Sequence, residues 1–224
     1  MLRRDDKELA RSWLDTALAR FAADNDDLVL QTRSFLTRVV ADGPQHARLL
    51  NTLSLLEHMG SHKIMSTQHA ADIDQPTLKH VAEEAHHAYF MKRQAEKTAE
   101  RPLEYVPDDL LAPASARMYF QRLESALTRT LARQRSPRAV YLYMSMIVEF
   151  RALWFYGLYQ QTLQRLRHPL SLKRVLGEEQ NHLSDIANRL DMGGELSDAR
   201  TAEFLARENA LYRRLLIALQ ASLA

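Results

Sequence analysis

Six residues in this 224-residue chain have the types and the spacing to act together. Glu84 and His87 stand three apart, as do Glu179 and His182. Residues three apart share one face of a helix, so each pair can aim a carboxylate and an imidazole at one point. A single Glu precedes each pair, by 27 and 30 residues: Glu57 in Leu55-Leu56-Glu57-His58-Met59 and Glu149 in Ile147-Val148-Glu149-Phe150-Arg151. All four acids fall on apolar stripes. Glu57 continues Leu50, Leu53 and Ile64, Glu84 lies with Val81, Ala88 and Met91, Glu149 with Leu142, Met146, Leu153 and Tyr156, and Glu179 with Leu172, Val175, Leu183, Ile186 and Leu190. An unpaired charge buried in such a stripe is costly, and no Lys or Arg shares the stripes near these acids. Two divalent cations would neutralise the four carboxylates, with two neutral imidazoles completing the ligand set. The metal candidates are therefore Glu57, Glu84, His87, Glu149, Glu179 and His182.

An internal duplication sets the register. Ser34-Phe35-Leu36-Thr37-Arg38 echoes Ser125-Ala126-Leu127-Thr128-Arg129, and each is followed by a break, a proline, a long apolar helix with one central Glu, and a helix with paired acids and a His. The offset between halves drifts only from 91 to 95 residues, which small loop insertions explain. Glu83 and His86 also have the three-residue spacing, but superposing the halves, 28–99 on 115–191, selects Glu84 and His87. Glu83, Glu178 and His86 are then read as solvent-facing, and His58 and His62 as surface histidines. Asp185, one turn after His182, could accept the second ring N–H of that imidazole. Among the aromatic residues crowding 141–159, Tyr156 is the candidate for a catalytic or redox role; the alternative for the group is ordinary core packing.

The elements that must position these residues are helices. Only 6 Gly and 7 Pro leave little turn punctuation, which disfavours sheet architectures. Proline is tolerated in the first helical turn and not in the interior, so Pro44, Pro76, Pro137 and Pro169 each mark a helix start. The pattern predicts helices over 6–22, 28–41, 44–69, 76–99, 115–134, 137–166, 170–191 and 198–222, with Gly193-Gly194 stopping the seventh. The segment from Arg101 to Pro113 reads as the one long linker. The reading is a single all-helical domain over 1–224. With 46% hydrophobic and 26% charged residues the composition is that of a globular protein. Zero Cys excludes disulfides, thiolate metal sites and a cysteine nucleophile. No leader or membrane-spanning run is found, so a cytoplasmic protein without membrane association is expected. A net charge of +2 lacks the lopsidedness of a dedicated nucleic-acid binder, and the basic stretch Arg129, Arg133, Arg135 and Arg138 reads as a solvated helix end.

One Glu from each of two helices plus Glu-x-x-His from each of two others resembles the ferritin-like di-metal carboxylate superfamily, over roughly 44–99 and 137–191. The resemblance implies a four-helix core with additional N- and C-terminal helices. It further implies Glu84 and Glu179 as bridging ligands, Glu57 and Glu149 as terminal ones, and chemistry with dioxygen or peroxide. Oxygen-rich ligands with one imidazole per metal suit two Fe ions, or Fe/Mn or Mn. The implied partners are a small-molecule substrate, apolar or aromatic, and an external electron donor; a homodimer is compatible with this. The absence of Cys removes a rubredoxin-type iron site, and Leu153 stands where the multicomponent monooxygenases resemble each other in a hydroxyl residue, for which Ser61 could substitute. Three alternatives are a ferroxidase or iron-binding protein without organic substrate, a tRNA-modifying hydroxylase, and a metal-free interaction bundle.

Overall fold

In a computed structural model of the chain, residues 4–66, 73–131 and 137–223 are described, without the side chains of 4–11 and 137–138. Eight α-helices account for most of them: α1 (Arg4–Asp24), α2 (Asp26–Ala41), α3 (Gly43–Ser66), α4 (Gln75–Ala99), α5 (Pro113–Leu131), α6 (Pro137–Arg165), α7 (Lys173–Met192) and α8 (Asp198–Ala221). The described residues are thus all-α, and none of these helices is long and apolar enough to cross a membrane. The expected helix ends at 69 and 134, together with Arg133 and Arg135, lie outside the described residues.

Local chemistry explains the boundaries. Asp74 caps α4, its carboxylate accepting from the Thr77 amide at 2.9 Å, with Pro76 in the first turn. Asp42 does the same for α3 through the Gln45 amide at 3.1 Å, and Ser197 for α8 through Arg200. Gly194, at φ 64°, takes the left-handed turn that ends α7. Pro169 departs from expectation: it lies in the loop, and α7 begins at Lys173. The Leu172 amide donates to the Gln160 side chain at 2.6 Å, and Leu170 and Leu172 are buried, so tertiary anchoring holds this segment out of the helix.

Helices α3 and α4 pack along each other, as do α6 and α7, and α4 meets α7. A parallel arrangement is beyond reach of the connections. Helix α3, with 24 residues, is about 36 Å long, whereas the segment joining it to α4 spans under about 30 Å even fully extended. Each pair is therefore antiparallel. Helices α1 and α2 pack on α7, α6 and α3, and α5 with α8 on α6 and α3, with α8 also bonded to α2 through Tyr212 to Thr32 and Arg213 to Asp27. The core holds Phe35, Leu36, Leu50, Met91, Leu142 and Phe150, all at 1% exposure or less; full burial of such a side chain contributes roughly 1.5–3 kcal/mol. The expected linker after α4 is instead a packed crossover. Leu103, Leu110 and Leu111 are buried, and Asn51 donates to the Glu104 and Asp109 carbonyls at 2.8 and 3.0 Å.

His46 is a titratable group buried in this scaffold. His46, 1% exposed, hydrogen-bonds the Tyr159 hydroxyl, and burial followed by the neighbouring His168 pushes its pKa down to about 4. A histidine depressed in the fold contributes stability that is full above its unfolded value of 6.5 and is lost as pH falls towards 4. The expected loss is about 3 kcal/mol. Urea denaturation of the unmodified protein and of His46→Asn at pH 7 and pH 4.5 should show the stability change between the two pH values differing by about that amount.

Candidate metal centre

The four helices α3, α4, α6 and α7 each send acids or imidazoles to one place. Two overlapping groups result: His80, Glu84, Glu149 and His182, and Glu57, Glu84, His87 and Glu179, with the ligand atoms of each group within 4.8 Å of one another. All six residues singled out by spacing are therefore brought together. Glu84, His87, Glu149, Glu179 and His182 are between 0% and 7% exposed. Glu57 keeps some exposure as a residue, but its carboxylate lies among the others and accepts a short hydrogen bond from the Tyr156 hydroxyl. Glu84 is common to both groups, and the two oxygens of Glu179 face His87 and His182.

His80 is a seventh member that spacing analysis missed. It sits four residues before Glu84 and seven before His87, on the same face of α4. Its Nε2 lies 3.2 Å from Glu149 and 3.4 Å from Glu84, while Nδ1 meets the Tyr141 hydroxyl at 3.0 Å. The signal was the pattern His-x3-Glu-x2-His, but the equivalent position in the second half is Val175. Superposing the halves therefore hid it.

The imidazoles are aimed by a crossed pair of acids. Glu83 of α4 accepts from His182 Nε2 of α7 at 2.9 Å, and Glu178 of α7 accepts from His87 Nε2 of α4 at 2.9 Å. With the protons on Nε2, each Nδ1 lone pair faces the carboxylates: His182 Nδ1 is 3.2 Å from Glu179 and 3.3 Å from Glu84, and His87 Nδ1 is 3.3 Å from Glu179. The expectation that Glu83 and Glu178 face solvent is thus corrected. So is that for Asp185, which is exposed and lines a polar groove outside His80 and His182 without bonding His182. Acids orienting a ligand imidazole support metal affinity by about tenfold to a hundredfold. Glu83→Gln and Glu178→Gln should each weaken metal binding by that factor in a chelator competition, and Asp185→Asn should not.

The donor set fits cations. Glu84 Oε1 and His87 Nδ1 are buried without a hydrogen-bond partner, and no Lys or Arg pairs with Glu57, Glu84, Glu149 or Glu179 among the described residues. Protons otherwise carry the balance. Burial works against charge on the histidines, but the neighbouring Glu149 and Glu84 carboxylates lift His80 to about 11, and Glu179 lifts His87 to about 10. His182 is raised in the same way. Glu84 and Glu149 are held low despite burial by His182 and His80. Burial, then the charges of Glu149 and Glu84, pushes Glu179 up to about 8, and burial with Glu84 and Glu179 raises Glu57 well above the carboxylate range. Cations taking these positions displace protons, so loading at neutral pH releases them and affinity rises with pH. These buried His/Glu groups could hold metal ions, and the arrangement is compatible with a ferritin-like fold.

On the carboxylate side lies an apolar cavity of about 100 Å³, touching Glu57, Glu84, Glu149 and Glu179 and walled by Leu53, Leu56, Phe120, Val148 and Phe155. Tyr156, buried and bonded to Glu57, lines it too. The crowded aromatic segment thus divides, with Tyr141 and Tyr156 bonding the ligand cluster and Tyr143 donating to the Glu195 carbonyl elsewhere. His58, His62 and His86 are exposed, as expected. Comparison with protein-family models, curated proteins and solved structures finds no match to the chain.

Proposed function

We propose that the chain is a two-metal carboxylate oxidoreductase of ferritin-like architecture, acting with dioxygen or peroxide on a small, largely apolar substrate. The native pair would be Fe, Fe/Mn or Mn, with electrons from an external donor. The observation that carries the reading is the sharing of Glu84 between two buried ligand groups whose carboxylate side borders an apolar cavity. Oxygen and imidazole donors of this kind suit Fe and Mn. When bound, such a pair supplies redox and Lewis-acid chemistry.

The chain's own residues supply the rest. Glu57, Glu84, His87 and Glu179 would hold one cation, and His80, Glu84, Glu149 and His182 the other. Glu83 and Glu178 keep the Nε2 protons in place and the imidazoles aimed. The Tyr156 hydroxyl holds a proton against Glu57. Leu53, Leu56, Phe120, Val148 and Phe155 exclude water from the carboxylate side, where electrostatic interactions are correspondingly strong. A ferroxidase without organic substrate would use the same ligands but has no need of this cavity.

The test is metal content per chain by plasma mass spectrometry, with an absorption spectrum after anaerobic Fe(II) loading and exposure to air. About two metals per chain and a new near-ultraviolet band are expected. A chain that retains no transition metal under these conditions overturns the reading.

A further inference from the structure

The two ligand groups that share Glu84 are unequal among the described residues. One offers two imidazoles, His80 and His182, with the carboxylates of Glu84 and Glu149; the other offers one imidazole, His87, with Glu57, Glu84 and Glu179. The inequality comes from His80, whose counterpart in the second half of the chain is Val175. The first group is evenly spaced. His80 Nε2 lies 3.4 Å from Glu84 and 3.2 Å from Glu149, and His182 Nδ1 lies 3.3 Å from Glu84 and 3.4 Å from Glu149, all to Oε1. Donors held tetrahedrally about 2.0–2.2 Å from one ion stand roughly 3.3–3.6 Å apart, so these contacts are close to that spacing. The second group is wider, with His87 Nδ1 3.3 Å from Glu179 but 4.0 Å from Glu84. The outer contacts differ as well. His182 and His87 are each backed by a carboxylate, whereas His80, 6% exposed, is backed through Nδ1 by the Tyr141 hydroxyl at 3.0 Å. With Nδ1–H donating to that oxygen, the Nε2 lone pair faces Glu84 and Glu149.

Resting on the two-metal reading above, we propose that the centre distinguishes its two ions: the position built by His80 and His182 selects Fe, the position built by Glu57 and His87 admits Mn, and His80 sets the difference. Affinity for divalent first-row ions rises from Mn to Fe at any such site, and imidazole suits Fe where carboxylate suits Mn. Two imidazoles against one therefore widen the preference for Fe at the first position. Size acts in the same direction, because Mn(II) is the larger ion and the second group has the wider spacing. Glu179 presents one oxygen to His87 and the other to His182, and the count of imidazoles is the same whichever position it serves.

The experiment is metal exchange. Metal-stripped protein is loaded anaerobically with Fe(II) and dialysed against rising ratios of Mn(II) to Fe(II) at saturating total metal, with both metals per chain read by plasma mass spectrometry. Exchanging one divalent ion for another leaves the charge unchanged, so the repulsion between ions that separates the steps of a simple titration drops out. The first Mn should enter at a ratio about tenfold or more below that needed for the second. In His80→Val, which gives α4 the residue found at the matching place in α7, the two steps should merge, with Mn(II) entering both positions at the lower ratio. A single exchange step in the unmodified protein overturns the assignment, whether or not the variant folds, and so do two steps that persist unchanged in His80→Val. Either result in protein holding about two metals leaves the two-metal reading standing. Protein that retains neither ion removes that reading, and the assignment with it.

Discussion

Replacing Glu84 with Ala is expected to abolish retention of both metals, where loss of a ligand from one group should cost chiefly one. Among the described residues Glu84 is the one common to the two ligand groups, and its side chain is almost wholly buried. Four-ligand sites bind their metals with apparent energies of about 10–16 kcal/mol, so one ligand is worth about 3 kcal/mol, or roughly a hundredfold in affinity. In Glu84→Ala that factor applies at both positions at once. Removing Glu84 also takes one carboxylate from beside His80 and His182, both of which lie within 3.4 Å of it. Plasma mass spectrometry after chelation and reloading should read about two metals in the unmodified protein and close to none in the variant. His86→Ala on the same helix, altering an exposed ring, should read as the unmodified protein does. An Glu84→Ala protein that still holds two metals would show that Glu84 is not the common ligand.

Arg151→Met is expected to destabilise the fold by about 3–5 kcal/mol, the cost of removing one partner from a buried ion pair. Glu208, its partner at 2.8 Å, is fully buried and would keep only the Tyr119 hydroxyl. The loss should lower the melting temperature by roughly 10 °C in a domain of this size. The companion variant Arg151→Met/Glu208→Met should recover most of it, because an apolar pair of similar volume has no uncompensated charge. Chemical denaturation of the two variants side by side decides the matter, and equal destabilisation would mean that packing on Tyr212, Phe21 and Trp154 outweighs the charge.

Much of the architecture is legible in the sequence for particular reasons. Prolines at positions 44, 76 and 137 coincide with helix starts because a missing N–H costs nothing in the first turn. Pro169 misleads because Leu170, Leu172 and Gln160 decide that segment through contacts far along the chain. The six acids and imidazoles could be singled out because a carboxylate interrupting an apolar stripe stands out in one dimension. Glu83 and Glu178 do not stand out: each follows its helix's own periodicity toward the edge of the stripe, and only the approach of α4 to α7 brings it to the other helix's histidine. His80 lacks a counterpart in the second half, and Arg151 and Glu208 are joined across 57 residues by the packing of α6 on α8.

The crossed hydrogen bonds of Glu83 with His182 and Glu178 with His87 also act as a mechanical key. Because each helix supplies one acid and one imidazole, sliding α4 along α7 by a single residue, about 1.5 Å, would break both bonds in the same motion. Fraying at the helix ends or a lengthened surface loop beyond Arg165 has no purchase on the middle of the pair. Each acid is in turn tied on its own helix to an outward-facing cation, Lys79 at 3.0 Å and Arg174 at 2.9 Å, whose side chains are 58% and 73% exposed. The register of two helices, the aim of two rings and two surface charges thus form a single latch, which opens or holds as a whole.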